Sequence, residues 1–347
     1  MSGEKFVDLR SDTVTRPTAE MRKAMFEAAV GDDVYGEDPA TNALQEKAAA
    51  LLGKEAALFV ASGTMGNQLS IKAHTQPGDE VIIAAGGHAM NFEGGASAVL
   101  SGIQYAAIPA DRGIFDAGQV EAAIRPDNVH FPVTRLVVIE NTHNRGGGTV
   151  FPLSKIQEIR QLADQRGLRL HMDGARLWNA CVASGISPAE YAAPFESVSV
   201  CLSKALGCPV GSIVAGSRDF IKRVHRFRKM VGGGMRQIGF LAAAGIYALD
   251  HHINRLEEDH QKAQKLARGL SIIPNLKIKP EEVETNILFF DVSPSERTAQ
   301  EIALACRQKG VLLHPTAKTR IRCVTHLDVS FEEIDQALDV IGKVMKG

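Results

Sequence analysis

SVSVCLSKALGCPVGSIVAG, Ser197 to Gly216, holds two short apolar runs of strand character with only ALGCPV between them. A parallel pair needs a crossover of a dozen or more residues, so the second run is expected to lie antiparallel to the first. Upstream, AALFV, EVIIAA, IQYAAI, RLVVIEN and LRLHMD have the same strand character, and mostly helical or Gly-rich segments separate them. This alternation predicts an α/β domain built on a mixed, mostly parallel seven-stranded sheet.

Before the alternation, TAEMRKAMFEAA and TNALQEKAAALLG carry helical apolar spacing, and Gly53 is placed to end the second helix. From about Asp219 to Gly269 the pattern is helical, broken at GGGMRQ. Beyond Ile273, LKIKP, TNILFFDV, VLLHP and RIRCVTH alternate with two helical stretches, which reads as a smaller C-terminal α+β domain. The expected organisation is therefore an N-terminal arm and helix (1–30), a large α/β domain with a long helical connector (31–269), and the small domain (270–347).

The 39 basic and 40 acidic residues nearly cancel, so no overall field favours nucleic acid or an acidic membrane surface as partner. A small-molecule ligand fits better. The first residues, MSGEKFVDLR, contain no apolar signal region, and no stretch reaches the roughly 18 apolar residues of a membrane span. The five cysteines show no CxxC spacing, which argues against a disulfide framework and a zinc site; no metal site is expected, and the chain reads as cytoplasmic.

Three features fall where strands end, the place where open α/β sheets bind ligands. SGTMGN (Ser62–Asn67) follows AALFVA and precedes a helix; it suits a phosphate cradle or an ordinary N-cap. In LHMDGAR, Asp173 suits a partner for a protonated ring nitrogen or a cap for a helix starting at Ala175. Lys204 closes an apolar strand, where lysine is rarely buried without a partner or a covalent use, although a snorkelling side chain has the same sequence pattern. The order carries more than any member. A phosphate turn, a pyridinium partner and a Schiff-base lysine are the three contacts that pyridoxal 5'-phosphate demands.

Several longer motifs, DLRSDTVTRPT (Asp8–Thr18), VGDDVYGEDP (Val30–Pro39), KEAALFVASGTMGNQ (Lys54–Gln68), ENTHN (Glu140–Asn144), HMDGARLWNA (His171–Ala180), CLSKALGCPVGS (Cys201–Ser212) and RKMVGGGMRQ (Arg228–Gln237), resemble the low-specificity L-threonine aldolases of the fold-type I pyridoxal-phosphate group. The resemblance runs from Asp8 to RIRCVTHLDVS near the C-terminus. It implies Lys204 as the Schiff-base residue and Asp173 as the ring-nitrogen partner. Ser62, Gly63, Thr64 and Ser203 would surround the phosphate, and His88 would stack on the ring. Arg176 would lie near the ring oxygen and the substrate carboxylate, which Ser11 and Arg322 would also bind. His130 would approach the substrate β-hydroxyl, while Tyr35 and Arg236 would be donated by a neighbouring subunit of a homotetramer.

These residues suit aldol cleavage of β-hydroxy-α-amino acids such as L-threonine and L-allo-threonine to glycine and an aldehyde. Clamping the carboxylate fixes which bond stands perpendicular to the conjugated plane, and an imidazole from His88 or His130 suits removal of the β-hydroxyl proton. The alternatives are β-elimination or transamination with the same cofactor, and a non-catalytic binding module that keeps the fold.

Overall fold

The computed structural model describes residues 6–346, so the first five residues of the expected arm lie outside it. The described residues form twelve strands: β1 (Val7–Asp8), β2 (Ala56–Val60), β3 (Glu80–Ala84), β4 (Gln104–Ile108), β5 (Thr134–Glu140), β6 (Arg169–Gly174), β7 (Ser197–Cys201), β8 (Ser212–Gly216), β9 (Ile287–Asp291), β10 (Val311–Leu312), β11 (His314–Pro315) and β12 (Arg320–Val324).

Strands β2 to β8 form one sheet in the order β2-β8-β7-β6-β5-β3-β4. Of its six neighbouring pairings, the two that involve β8 are antiparallel, to β2 and to β7, and the other four are parallel. Because β8 reverses direction between them, β2 points the same way as β7. The C-terminal ends of β2, β3, β5, β6 and β7 therefore meet along one edge. The loop between β7 and β8 is closed by Leu202 N–H donating to Gly211 O at 3.0 Å and Cys208 N–H donating to Leu202 O at 3.2 Å, which leaves Lys204 at that edge.

Every residue of β3, β7 and β8 is buried, as expected of strands covered on both faces. Local chemistry sets the helices that cover them. In helix Pro39–Leu51, Asp38 accepts the Thr41 N–H at 2.9 Å, Pro39 occupies the first turn, and Gly53 ends the helix at φ 60°. The main core joins these helices to the sheet through residues such as Leu44, Phe59, Val137, Met172 and Val200.

A second core lies under the three-stranded sheet β11-β12-β9 and helices Ala299–Arg307 and Phe331–Lys346. Its members come from three stretches of the chain. Helix Leu256–Ser271 contributes Ala263, Leu266, Ala267 and Leu270 to this core, and the N-terminal arm contributes Val7 and Leu9, with β1 pairing in parallel with β10. This core thus draws on residues from both sides of position 270. LKIKP forms no strand; it makes only the isolated bridge Lys277–Asp291. VLLHP is shared between two sheets, since β10 pairs with β1 and β11 with β12. Among the described residues, no helix is long and apolar enough to cross a membrane.

Candidate functional site

At the edge where the strands converge, the turn Ser62-Gly63-Thr64, His88, Asp173 and the pair Ser203-Lys204 line one cavity of about 220 Å³. The turn opens helix Gly63–His74, with the Ser62 hydroxyl accepting the Met65 N–H at 3.1 Å. The serine thus caps the helix, and Ser62, Gly63 and Thr64 at its start also line the cavity. Glycine is required here by close approach. A Cβ on Gly63 would stand 2.7 Å from Cys201 Sγ, and one on Gly66 2.4 Å from Ser199 Oγ. With glycine, the helix start sits directly against β7 and beside Ser203-Lys204.

Lys204 is half-buried, and its carbonyl accepts the Thr15 hydroxyl at 3.0 Å, which ties the N-terminal segment to the lysine loop. Asp173 is buried at the end of β6. Its carboxylate accepts the Ala175 N–H at 3.1 Å and the Asn67 side-chain N–H at 2.8 Å. The adjacent helix begins at Leu177, not at Ala175 as the sequence suggests. His88 is held twice. Its backbone N–H donates to Glu140 Oε2 at 2.8 Å, and its Nδ1 lies 3.0 Å from Glu93 Oε1. The hydrogen bond to buried Glu93 raises the His88 pKa, opposed by burial and aided by Asp173 and Glu140.

Next to the cavity is a cationic corner. Asp12 accepts both Nε and Nη2 of Arg176 at 2.7 Å, and both partners are buried. Burial pushes the Asp12 carboxyl up, but the facing guanidinium outweighs it and holds the group at about 2. Arg176 is thus already neutralised along one edge of its fork. Arg322 is not: its Nη1 donates to Asn144 Oδ1 at 2.8 Å and its Nη2 to Arg10 O at 3.1 Å, both uncharged acceptors, while its buried Nε has no partner. Burial, with Arg176 nearby, lowers the Arg322 pKa to about 10. A half-buried guanidinium with no carboxylate in direct contact suits an anion. Ser11 stands beside it, immediately after Arg10; its oxygen accepts from Thr13 N–H and Thr13 O–H, which leaves its own proton free to donate.

Six expected residues do not line this cavity: Ser11, Arg176 and Arg322 belong to the corner just described, and three others lie on the surface. Tyr35 is 77% exposed, Arg236 pairs with Asp32 at 3.1 Å on the surface, and His130 lies in an exposed turn where its N–H donates to Asn128 Oδ1. Tyr35 and Arg236 do lie close in space, since the Asp33 N–H donates to the Arg236 carbonyl at 3.1 Å. Residues that sequence reasoning passed over also build the site. Asn67 ends the very motif read as a phosphate turn, Glu93 follows His88 by five positions, and Asp12 follows Ser11. Glu140 spans two parts of the site, taking the N–H of His88 on one oxygen and of Asn144 on the other. Of these, Asp12 and Glu140 carried a signal, as acidic residues inside motifs already under suspicion.

The donors present fit pyridoxal 5'-phosphate. The tight helix start and the hydroxyls of Ser62, Thr64 and Ser203 suit a phosphate, the fixed carboxylate of Asp173 a ring nitrogen, and the Lys204 amine a carbonyl. Fold and cavity together place the protein among the fold-type I pyridoxal-phosphate enzymes. Residues 8–293 match the beta-eliminating lyase family, and the chain belongs to that family. It is 46% identical to an Escherichia coli K12 low specificity L-threonine aldolase over 94% of this chain and 96% of that one. It is 43% identical to an Arabidopsis thaliana protein described as probable low-specificity L-threonine aldolase 2, over 97% of each chain. A solved structure of Leishmania major threonine aldolase shares the fold, with a TM-score of 0.83 at 20% identity over 98% of this chain and 99% of that chain.

Proposed function

We propose that this protein cleaves L-threonine, L-allo-threonine and related β-hydroxy-α-amino acids to glycine and an aldehyde. The observation that carries the reading is the pairing of two sites of opposite demand. One is the Lys204–Asp173 cavity, and the other is the uncompensated Arg322 cation beside Ser11. An α-amino acid has the amine and carboxylate to span them. Pyridoxal phosphate, when bound, supplies the electron sink for the pair released from Cα–Cβ.

The chain's own residues do the rest. Arg322 and Ser11 hold the carboxylate, with Arg322 presenting a planar donor set. Arg176, locked by Asp12, stiffens the wall behind them and keeps one edge of its fork free. Asp173 offers a fixed carboxylate where a ring nitrogen requires one. His88 donates Nδ1–H to Glu93, which leaves Nε2 as the basic nitrogen for the substrate β-hydroxyl, directly or through one water. We assign this role to His88, which lines the cavity, ahead of His130, which does not.

We further propose a cytoplasmic homotetramer in which Tyr35 and Arg236, both exposed in the single chain, complete the site of a neighbour. The cytoplasmic reading rests on five free, buried cysteines.

The deciding experiment incubates purified, cofactor-loaded protein with both threonine epimers and analyses the products. Glycine with acetaldehyde is expected. A keto acid instead would assign β-elimination or transamination, and absence of turnover together with failure of borohydride to fix the cofactor to Lys204 would leave a binding module.

A further inference from the structure

A line of buried polar side chains runs behind Asp173, through the sheet and away from the cavity. Asn67 Nδ2 lies 2.8 Å from Asp173 Oδ2 and 2.8 Å from Glu93 Oε1. Both hydrogens of the amide are therefore spent on carboxylates, and the opposite amide orientation would aim an oxygen at two anions. The remaining Asn67 Oδ1 must accept, and His171 Nε2 lies 3.3 Å from it. His171 is fully buried. As a neutral imidazole that donates from Nε2, it must accept at Nδ1, where the Ser197 hydroxyl lies at 2.8 Å. Ser197 Oγ then has its proton committed and accepts from His74 Nε2 at 2.7 Å. His74 closes the line at the other edge of the sheet, where it lines a separate cleft of about 470 Å³ with Lys54, Arg169 and Arg223.

We propose that Asn67 is a positioning residue, the last donor of a one-way relay His74 to Ser197 to His171 to Asn67, which holds Asp173 and Glu93 side by side as anions. Every proton in the relay points toward the cavity. The two carboxylates need this. His88, Glu93 and Asp173 each place an atom within 4.8 Å of the others, and two carboxylates that close repel unless donors lie between and around them. Glu93 receives Gln68 Nε2–H at 2.6 Å and the His88 ring as well, whereas Asp173 has only the Ala175 N–H besides Asn67 among the side-chain and backbone donors described. The shared amide thus couples Asp173 to the carboxylate that orients His88. Burial holds His171 neutral, at about 4, so the relay keeps one direction at neutral pH.

The relay itself stands without the proposed reaction; only its effect on cofactor affinity rests on that reading. The test begins on apoprotein with 15N-labelled histidine, in a long-range proton–nitrogen correlation spectrum, with His171 assigned by the signal lost in His171→Gln. The expected result is a neutral ring protonated at Nε2 from pH 5 to 9. A ring protonated at Nδ1, or doubly protonated in that range, would overturn the relay. Asn67→Ala is then expected to weaken pyridoxal-phosphate binding to apoprotein by roughly ten- to a hundredfold, the loss of a hydrogen bond to a charged group, and to move the His88 titration in the same apoprotein spectra. If Asn67→Ala is folded by circular dichroism and neither quantity moves, Asn67 is a packing residue and the proposal fails. Loss of glycine production with the His171 tautomer as expected would leave the relay standing and count against the proposed reaction alone.

Discussion

Asp12→Asn tests the electrostatics of the cationic corner, because it keeps the shape of the side chain and removes its charge. Holding the Asp12 carboxyl at about 2 in place of 3.8 corresponds to about 2.4 kcal/mol of native-state stability at neutral pH, at 1.36 kcal/mol per tenfold change in proton affinity. The folded value is the lower one, so this contribution is complete above the unfolded value and is lost as the pH falls toward 2. By pH 3 about 1 kcal/mol of it is gone. In the variant, Arg176 remains buried opposite a neutral amide, for which a loss of about 3–5 kcal/mol at pH 7 is expected. On acidification the gap between the two proteins should narrow by about 1 kcal/mol between pH 7 and 3, since only the wild type loses the linked term. Urea unfolding of apoprotein reads this through Trp178, the sole tryptophan, buried and two positions after Arg176. A gap below about 1 kcal/mol at pH 7, or one that fails to narrow, would refute the reasoning.

Glu93→Gln keeps an acceptor for His88 Nδ1 but removes the negative charge that makes this hydrogen bond raise the His88 pKa, so the His88 titration in apoprotein should move to lower pH, as should the acid limb of kcat/KM; an unmoved titration would place its cause in Asp173 and Glu140 alone. Asp33→Ala strands the buried Arg228 guanidinium, which donates to Asp33 at 2.7 Å, and should cost about 3–5 kcal/mol in chemical denaturation. Gly66→Ala drives a methyl into Ser199 Oγ and should cost about 1–3 kcal/mol, with the double variant Gly66→Ala/Ser199→Gly recovering part of that loss; strict additivity of the two changes would rule out the close contact as the cause.

The seven strands of the large sheet were legible because each is a short apolar run bounded by turn residues, and the missing crossover between β7 and β8 fixed the direction of β8. Lys204, Asp173 and the Ser62 turn were legible for the same reason, since strand ends are readable and ligands collect there. What the sequence concealed depends on contacts between distant segments. The Asn67 amide reaches Asp173 across 106 positions, and Asp12 reaches Arg176 across 164. No local spacing records either. LKIKP failed as a strand because alternating polarity alone supplies no partner, and only Asp291 pairs with it. The helix Leu256–Ser271 reads as a connector, yet its apolar face is divided between two cores, a property of where its neighbours lie.

The reversed strand β8 also sets a timetable for synthesis. β2 is the outermost strand of its sheet and pairs only with β8, which the ribosome completes about 150 residues later. At about 5–20 residues per second, AALFV waits on the order of ten seconds without its strand partner. Strands β3, β4 and β5 find one another far sooner. For that interval the nascent chain carries an apolar edge of the kind that chaperones shield, and the Ser62-Gly63-Thr64 turn at its end takes its place only when that edge is closed.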